Sequence, residues 1–235
     1  MGKIIIKSFC LGIAQTNCYY LHDEDSQEII LFDPADQGTE LFKALREEGL
    51  TLKAIFLTHA HFDHIWGLAD LKDLTDARVY VSEEEMRLCT DPNVNLSQGY
   101  GRPAQVMPDE WLRDGDVVKE AGITLHVIST PGHTEGSCCY YIDHSYPNPD
   151  MLDEPDPEDE IEQDRSGLLT QHILISGDTL FEGSVGRSDL PTGSQGRLVR
   201  SIREKLLVLP DDTLVLPGHG GTTTIAYEKR FNPFI

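Results

Sequence analysis

Between Thr58 and His64 the chain reads Thr-His-Ala-His-Phe-Asp-His, which places three imidazoles and a carboxylate almost side by side. These are the donors that hold zinc and related divalent ions. In an extended segment His59 and His61, two apart, point the same way and can share one ion. Asp63 and His64 follow where the chain turns toward a helix, so they face elsewhere and suit a second ion. A lone histidine would be read as a solvated loop residue. The pattern HxHxDH would arise from this composition in roughly one such chain in a thousand, so the cluster is read as a metal site.

Three further positions set a ligand-type residue beside glycine just after an apolar run. They are His133 in Thr130-Pro131-Gly132-His133-Thr134, Asp178 in Ser176-Gly177-Asp178-Thr179, and His219 in Leu216-Pro217-Gly218-His219-Gly220. Glycine permits sharp turns and a close approach of the main chain to an ion. Singly, each is an ordinary turn sequence. With the first cluster they give five histidines and two aspartates, enough for two ions if one aspartate bridges. His22, His126, His144 and His172 lack glycine neighbours and cluster companions and are not counted among the ligands.

The elements that must position these residues can be read coarsely. Lys3–Phe9, Asn17–His22 and Glu28–Asp33 have the composition of short strands bounded by turn residues. Gly38–Gly49 is predicted as an amphipathic helix with Leu41, Phe42 and Leu45 on one side. Ala54–Leu57 reads as a buried strand, Thr58–His64 as the loop leaving it and Ile65–Leu74 as a helix. After a strand at Val79–Val81, Ser82 with Glu85 three residues on matches a capping box opening a helix. Thr90–Pro108 is irregular. Strands follow at Ile123–Ser129, Ser137–Ile142, His172–Ser176 and Thr213–Leu216, with helices at Ser194–Leu207 and Thr223–Arg230. Two groups of strands, each followed by helices, imply an α/β protein with mixed sheets and its site on loops beyond strand ends.

With 235 residues the chain is expected to form one domain. The formal net charge of -21 argues against nucleic acid or an anionic membrane as partner. Asp143–Arg165 carries ten acids, one arginine and four prolines, the composition of a solvated loop; an acidic, proline-rich insertion at about 143–170 is expected. Five cysteines without a CxxC argue against a thiolate site or a disulfide framework and are read mostly as small buried hydrophobes. No run of 18 apolar residues is present, and Lys7 comes too early for a signal-peptide core, so the cytoplasm is the expected address.

HxHxDH, then Gly-His, Gly-Asp-Thr-Leu-Phe and Pro-Gly-His in that order resemble the metallo-β-lactamase superfamily. Within it the chain is similar, from Ile4 to Phe234, to the glyoxalase II (hydroxyacylglutathione hydrolase) group of short bacterial type. The resemblance implies a four-layer αββα sandwich with the metals at one edge between two sheets. It assigns His59, His61 and His133 to one ion, Asp63, His64 and His219 to a second, and Asp178 to both. Asp33 would orient ligands from behind. Arg187, in Val185-Gly186-Arg187-Ser188-Asp189, would clamp a substrate carboxylate. Aromatic residues expected near that clamp are missing from the adjoining sequence, and so is the long C-terminal helical domain of full-length members. Metallo-β-lactamases proper lack the bridging aspartate and are exported, so β-lactam hydrolysis is not expected here.

The implied activity is hydrolysis of a small-molecule thioester such as S-D-lactoylglutathione. Two ions, zinc first with iron or manganese compatible, would share a hydroxide that attacks the carbonyl, with Asp63 steering its proton. Two divalent cations against Asp63, Asp178 and hydroxide leave one net positive charge to attract an anionic substrate. Two other readings share these residues: a mononuclear-iron persulfide dioxygenase using His59 or its neighbours, His133 and Asp178, and a non-catalytic metal-binding interaction module. Oligomeric state is left open.

Overall fold

A computed structural model describes residues 3–143 and 172–235. The expected acidic insertion at about 143–170 lies, apart from Asp143, outside the described residues, as does His144. The first sheet begins with the hairpin β1 (Ile4–Leu11) and β2 (Thr16–Asp23). It continues through β3 (Glu28–Phe32), β4 (Thr51–Phe56), β5 (Arg78–Ser82) and β6 (Glu110–Leu112) in the order β1-β2-β3-β4-β5-β6. Pairing is antiparallel as far as β3 and parallel from there. The second sheet takes β7 (Val117–Glu120), β8 (Ile123–Ser129), β9 (Cys138–Asp143), β10 (His172–Gly177), β13 (Leu214–Pro217) and β14 (Thr223–Thr224), and only β10 and β13 run parallel. A small hairpin, β11 (Leu180–Phe181) with β12 (Ser184–Val185), follows the end of β10.

Successive side chains on a strand point to opposite faces, and here that alternation divides the apolar residues into three cores. Ile30, Phe32, Ala54, Phe56 and Tyr80 of the first sheet meet Leu125, Val127, Tyr140, Ile173, Ile175 and Leu216 of the second. Their neighbours Ile29, Leu31, Ile55, Val79 and Val81 face the other way. They are covered by α1 (Gly38–Glu47) through Leu41 and Leu45, by α3 (Leu68–Leu74) through Leu68 and Leu71, and by Leu88 of α4 (Met86–Thr90). Behind the second sheet, Cys139, Leu174 and Val215 pack on Leu198 of α5 (Gln195–Ser201), Leu206 of the π-helical turn Ile202–Leu206, and Ile225 of α6 (Ile225–Phe231). Three cores define four layers, helix–sheet–sheet–helix, as the resemblance implied.

Parallel central strands buried on both faces explain the near-continuous apolar runs of β3 and β4. Cys138 and Cys139 face different cores, and four of the five cysteines are buried as free thiols. Three expectations need correction. The helix expected at Ile65–Leu74 is two, α2 (Phe62–Ile65) and α3, because the Gly67 N–H turns aside to donate to the carbonyl of Pro34 at 2.8 Å. The helix expected at Ser194–Leu207 is α5 followed by the π-helical turn. Ser82 caps nothing with its side chain; a 3-10 turn, Glu83–Glu85, precedes α4, and Glu85 points inward, fully buried. β6, β7 and the short strands β11, β12 and β14 were too brief to read from sequence.

Candidate metal centre

The loop leaving β4 and three strand ends of the second sheet bring all seven expected ligands together at one edge of the two sheets. His59 and His61 lie in the loop Leu57–His61, and Asp63 and His64 on α2. His133 comes from the turn between β8 and β9, Asp178 from the end of β10, and His219 from the end of β13. Three sets of donors each have ligand atoms within 4.8 Å of one another: His59, His61 and His133; His59, His64 and Asp178; and Asp63, His64 and His219.

Hydrogen bonds behind the first trio settle which ring nitrogens face inward. Thr58 donates its hydroxyl to Asp33 Oδ2 at 2.7 Å, so the Thr58 oxygen accepts from His59 Nδ1 at 3.2 Å. His133 Nδ1 donates to the main-chain carbonyl of Arg187 at 2.7 Å. The Nε2 lone pairs of His59 and His133 therefore confront each other at 3.2 Å, with His61 Nδ1 only 2.9 Å from His133 Nε2. Lone pairs so arranged repel unless a cation lies among them. Burial and the neighbouring histidines hold His59 well below its ordinary pKa, burial takes His61 down to about 3, and burial lowers His133 as well. All three are thus neutral donors at physiological pH, the form a metal requires.

Around the second set the charges differ. Asp178 Oδ1 is 3.4 Å from His64 Nε2, while its Oδ2 is 3.5 Å from His219 Nε2 and 3.6 Å from His133 Nε2. Asp63 Oδ2 lies 3.4 Å from His219 Nε2 and 3.9 Å from His64 Nε2. Asp33 Oδ2 stands 3.0 Å from His64 Nδ1, and Asp33 Oδ1 accepts the Thr58 N–H at 2.8 Å. Burial opposes charge on His64, yet Asp33, Asp178 and Asp63 outweigh it and raise its pKa well above the usual value. His219 is raised to about 10 against burial by hydrogen bonds to Asp178 and Asp63. Burial disfavours the Asp178 carboxylate, but His64 and His219 overcome it and hold the pKa well below the ordinary range. Three close carboxylates attract positive charge, and protonated histidines meet that demand here.

These residues fit a pair of divalent ions. Of the atoms that face the cluster, His64 Nε2 and Asp178 Oδ1 are buried without a hydrogen bond, which is costly unless an ion satisfies them. At Gly218 a Cβ would stand 2.8 Å from His64 Cε1 and closer still to Asp178 Oδ1, so only glycine lets the chain pass behind both. Asp63 and His219 are the more exposed members, with side chains 16% and 27% accessible, so the cluster opens to solvent on their side.

Arg187 sits on the rim through its bonded carbonyl, but its guanidinium is not free. Nε and the Nη2 amine each meet an oxygen of Asp189 at 2.8 Å, on side chains 61% and 69% exposed. Tyr100, near enough to Arg187 to interact electrostatically with it, stacks on Phe62 with ring centroids 4.2 Å apart. Sequence reasoning also missed Thr58 and Glu85. Ala60 N–H donates to Glu85 Oε2 at 3.2 Å, Gly136 N–H donates to Oε1 at 3.1 Å, and the Thr134 hydroxyl also donates to Oε1. The SxxE signal pointed to Glu85, but to a different task.

The family model of the metallo-beta-lactamase superfamily matches residues 11–145, and the chain belongs to that superfamily. It is 31% identical over 224 residues to the hydroxyacylglutathione hydrolase GloC of Haemophilus influenzae, covering 94% of this chain and 93% of that protein. Among solved structures it is similar to BLEG-1, described as a B3 metallo-beta-lactamase, with TM-score 0.81, 36% identity and coverage of 98% and 99% of the two chains. A structure of TTHA1623 in a di-iron-bound form matches with TM-score 0.74 and 32% identity, covering 97% of this chain and all of that one. Among the described residues no helix is long and apolar enough to cross a membrane.

Proposed function

We propose that this chain is a two-metal hydrolase of small thioesters, with a glutathione thioester such as S-D-lactoylglutathione as the substrate class. The observation that carries this is the position of Asp178, one oxygen toward His64 and the other toward His133 and His219. A carboxylate so divided suits two ions, one held by His59, His61 and His133, the other by Asp63, His64 and His219, with Asp178 common to both. Zinc is the proposed metal, and iron and manganese accept the same donors.

When bound, such ions supply a water acidic enough to serve as nucleophile near neutral pH and polarise an acyl carbonyl. The chain itself does the rest. Thr58 and the Arg187 carbonyl fix the rings of His59 and His133 through their Nδ1–H groups, so no reorientation is needed when substrate arrives. Asp63, on the open side, offers Oδ2 to take the proton released from the attacking water. Tyr100, exposed and stacked on Phe62 next to Asp63 in the chain, offers an apolar surface for the thiol carrier.

The likeness to GloC supports the thioester reading, and the likeness to BLEG-1 makes β-lactam hydrolysis the activity to test against it. A mononuclear-iron persulfide dioxygenase shares these residues, and the metal count of the purified protein separates it from the two-ion hydrolase. The test is elemental analysis of the purified protein together with assays on S-D-lactoylglutathione and on a chromogenic β-lactam. Two equivalents of metal and thioester hydrolysis are expected; β-lactam cleavage without thioester hydrolysis would overturn the proposal.

A further inference from the structure

The two loops that carry His59, His61 and His133 belong to different sheets. Ala60 stands between the first two histidines, and Thr134 and Gly136 lie one and three residues after the third. Among the described residues one main-chain bond joins the loops, from Cys138 N–H to the Thr58 carbonyl at 2.9 Å. It is made at Thr58, ahead of His59, and does not reach Ala60 or Gly136. The Glu85 carboxylate lies across those tips. Oε2 accepts from Ala60 on one side, and Oε1 accepts from Gly136 and Thr134 on the other, so each oxygen serves one loop.

The arrangement is built closely on both sides. Glu85 is 0% exposed, and a Cβ on Gly136 would come within 2.7 Å of the Glu84 carbonyl oxygen, so the second loop touches the backbone of the 3-10 turn itself. The Ser137 hydroxyl accepts from the Thr134 N–H at 2.9 Å and shares a 2.6 Å contact with its Oγ1, which aims that hydroxyl. A buried carboxylate is costly, and burial takes Glu85 up to about 7. Among the described residues no lysine or arginine bonds to it; its partners are the loops of the metal centre.

We propose that Glu85 is a positioning residue for the trio His59, His61 and His133, its two oxygens setting the separation of the loops that carry them. This rests on the trio being a metal site, as proposed above. A glutamine at 85 keeps the shape but must turn an NH2 group toward one loop's donors, so one side of the bridge is lost whichever way the amide lies.

The probe is Co2+ alone, titrated into the full-length metal-free chain against a competing chelator and followed by its visible absorption. Glu85→Gln is expected to weaken one equivalent by about 10- to 100-fold and to shift its absorption bands, leaving the other equivalent unchanged. Thr134→Val, which removes one donor to Oε1, gives a smaller loss at the same equivalent. In a His133→Ala background the trio is already broken, and Glu85→Gln then has no further effect. Wild-type affinity and spectrum at both equivalents in folded Glu85→Gln would overturn the proposal. If that variant does not fold, unchanged binding by Thr134→Val overturns it instead. Because the readout is metal affinity, a wild-type chain that binds two ions and cleaves no thioester would sink the hydrolase reading and leave Glu85 in its role. Wild-type protein that binds no Co2+ would defeat both.

Discussion

Asp178 divides its carboxylate between His64 and His133, with Oδ1 3.4 Å from Nε2 of the first and Oδ2 3.6 Å from Nε2 of the second. Those histidines belong to different donor sets, so loss of this side chain strikes both. Asp178→Ala should abolish turnover and lower the metal content toward one ion or none, read by elemental analysis beside the thioester assay. Full activity with two bound ions would defeat the bridging role. The paired variant His219→Ala should lose the second ion and retain the first, because His219 lies outside the trio.

Metal binding should release protons. His64 is raised well above 6.5 and His219 to about 10, chiefly by carboxylates that outweigh burial, so both are protonated in the metal-free chain at pH 7. His59, His61 and His133 are lowered and already neutral. A bound ion requires neutral imidazole, so loading the His64 and His219 set expels up to two protons, and apparent affinity rises as pH rises. The slope should approach about two decades per pH unit for a two-proton release. Calorimetry at pH 7 in buffers of different ionisation enthalpy measures the count, and a value of zero contradicts the assignment.

The part of this centre that was legible in the sequence is the part made of side chains in contiguous or glycine-flanked motifs. His59 to His64 announced itself because four donors fall within six residues, whereas Asp33 was assigned only through the resemblance to the superfamily. What stayed hidden works through the main chain. Glu85 reads the N–H groups of Ala60 and Gly136, and Arg187 lends its carbonyl to His133; neither leaves a residue-type signal. The SxxE pattern was misassigned because a local cap and a tertiary bridge use the same residue types, and only burial tells them apart. The two groups of strands gave an α/β protein with mixed sheets, the four layers came from the resemblance to the superfamily, and β6 and β7 were too short for any period to show.

The shared interior should dominate stability. Phe56 is fully buried between the sheets, with ring centroids 4.6 Å from Tyr80, 5.3 Å from Tyr140 and 5.6 Å from Phe32. Its strand leads directly into the loop of the metal centre, which Tyr140 anchors by donating to the Leu57 carbonyl at 2.7 Å. Phe56→Ala should cost about 3–5 kcal/mol in urea unfolding. The measurement belongs on metal-free protein, since bound ions would add their own stabilisation to the folded state. A loss below about 1 kcal/mol would mean that the two sheets do not share a close-packed core.

Arg187 was expected to clamp a substrate carboxylate, yet Asp189 already occupies the two donors such a group would take, and its own carboxyl is lowered to about 2, chiefly by that hydrogen bond. The pair is exposed and screened by solvent, so an anionic substrate can compete with Asp189 at a modest penalty. Arg187→Ala should therefore raise KM for an anionic thioester by about fivefold or less and leave kcat nearly unchanged. Asp189→Asn frees the guanidinium and should lower KM, with the gain largest at low salt, where screening is weakest. Combining the two substitutions separates this account from a general charge effect. With Arg187 absent, removing the negative charge at 189 should bring little further gain, whereas equal gains in both backgrounds would mean that Asp189 repels substrate on its own.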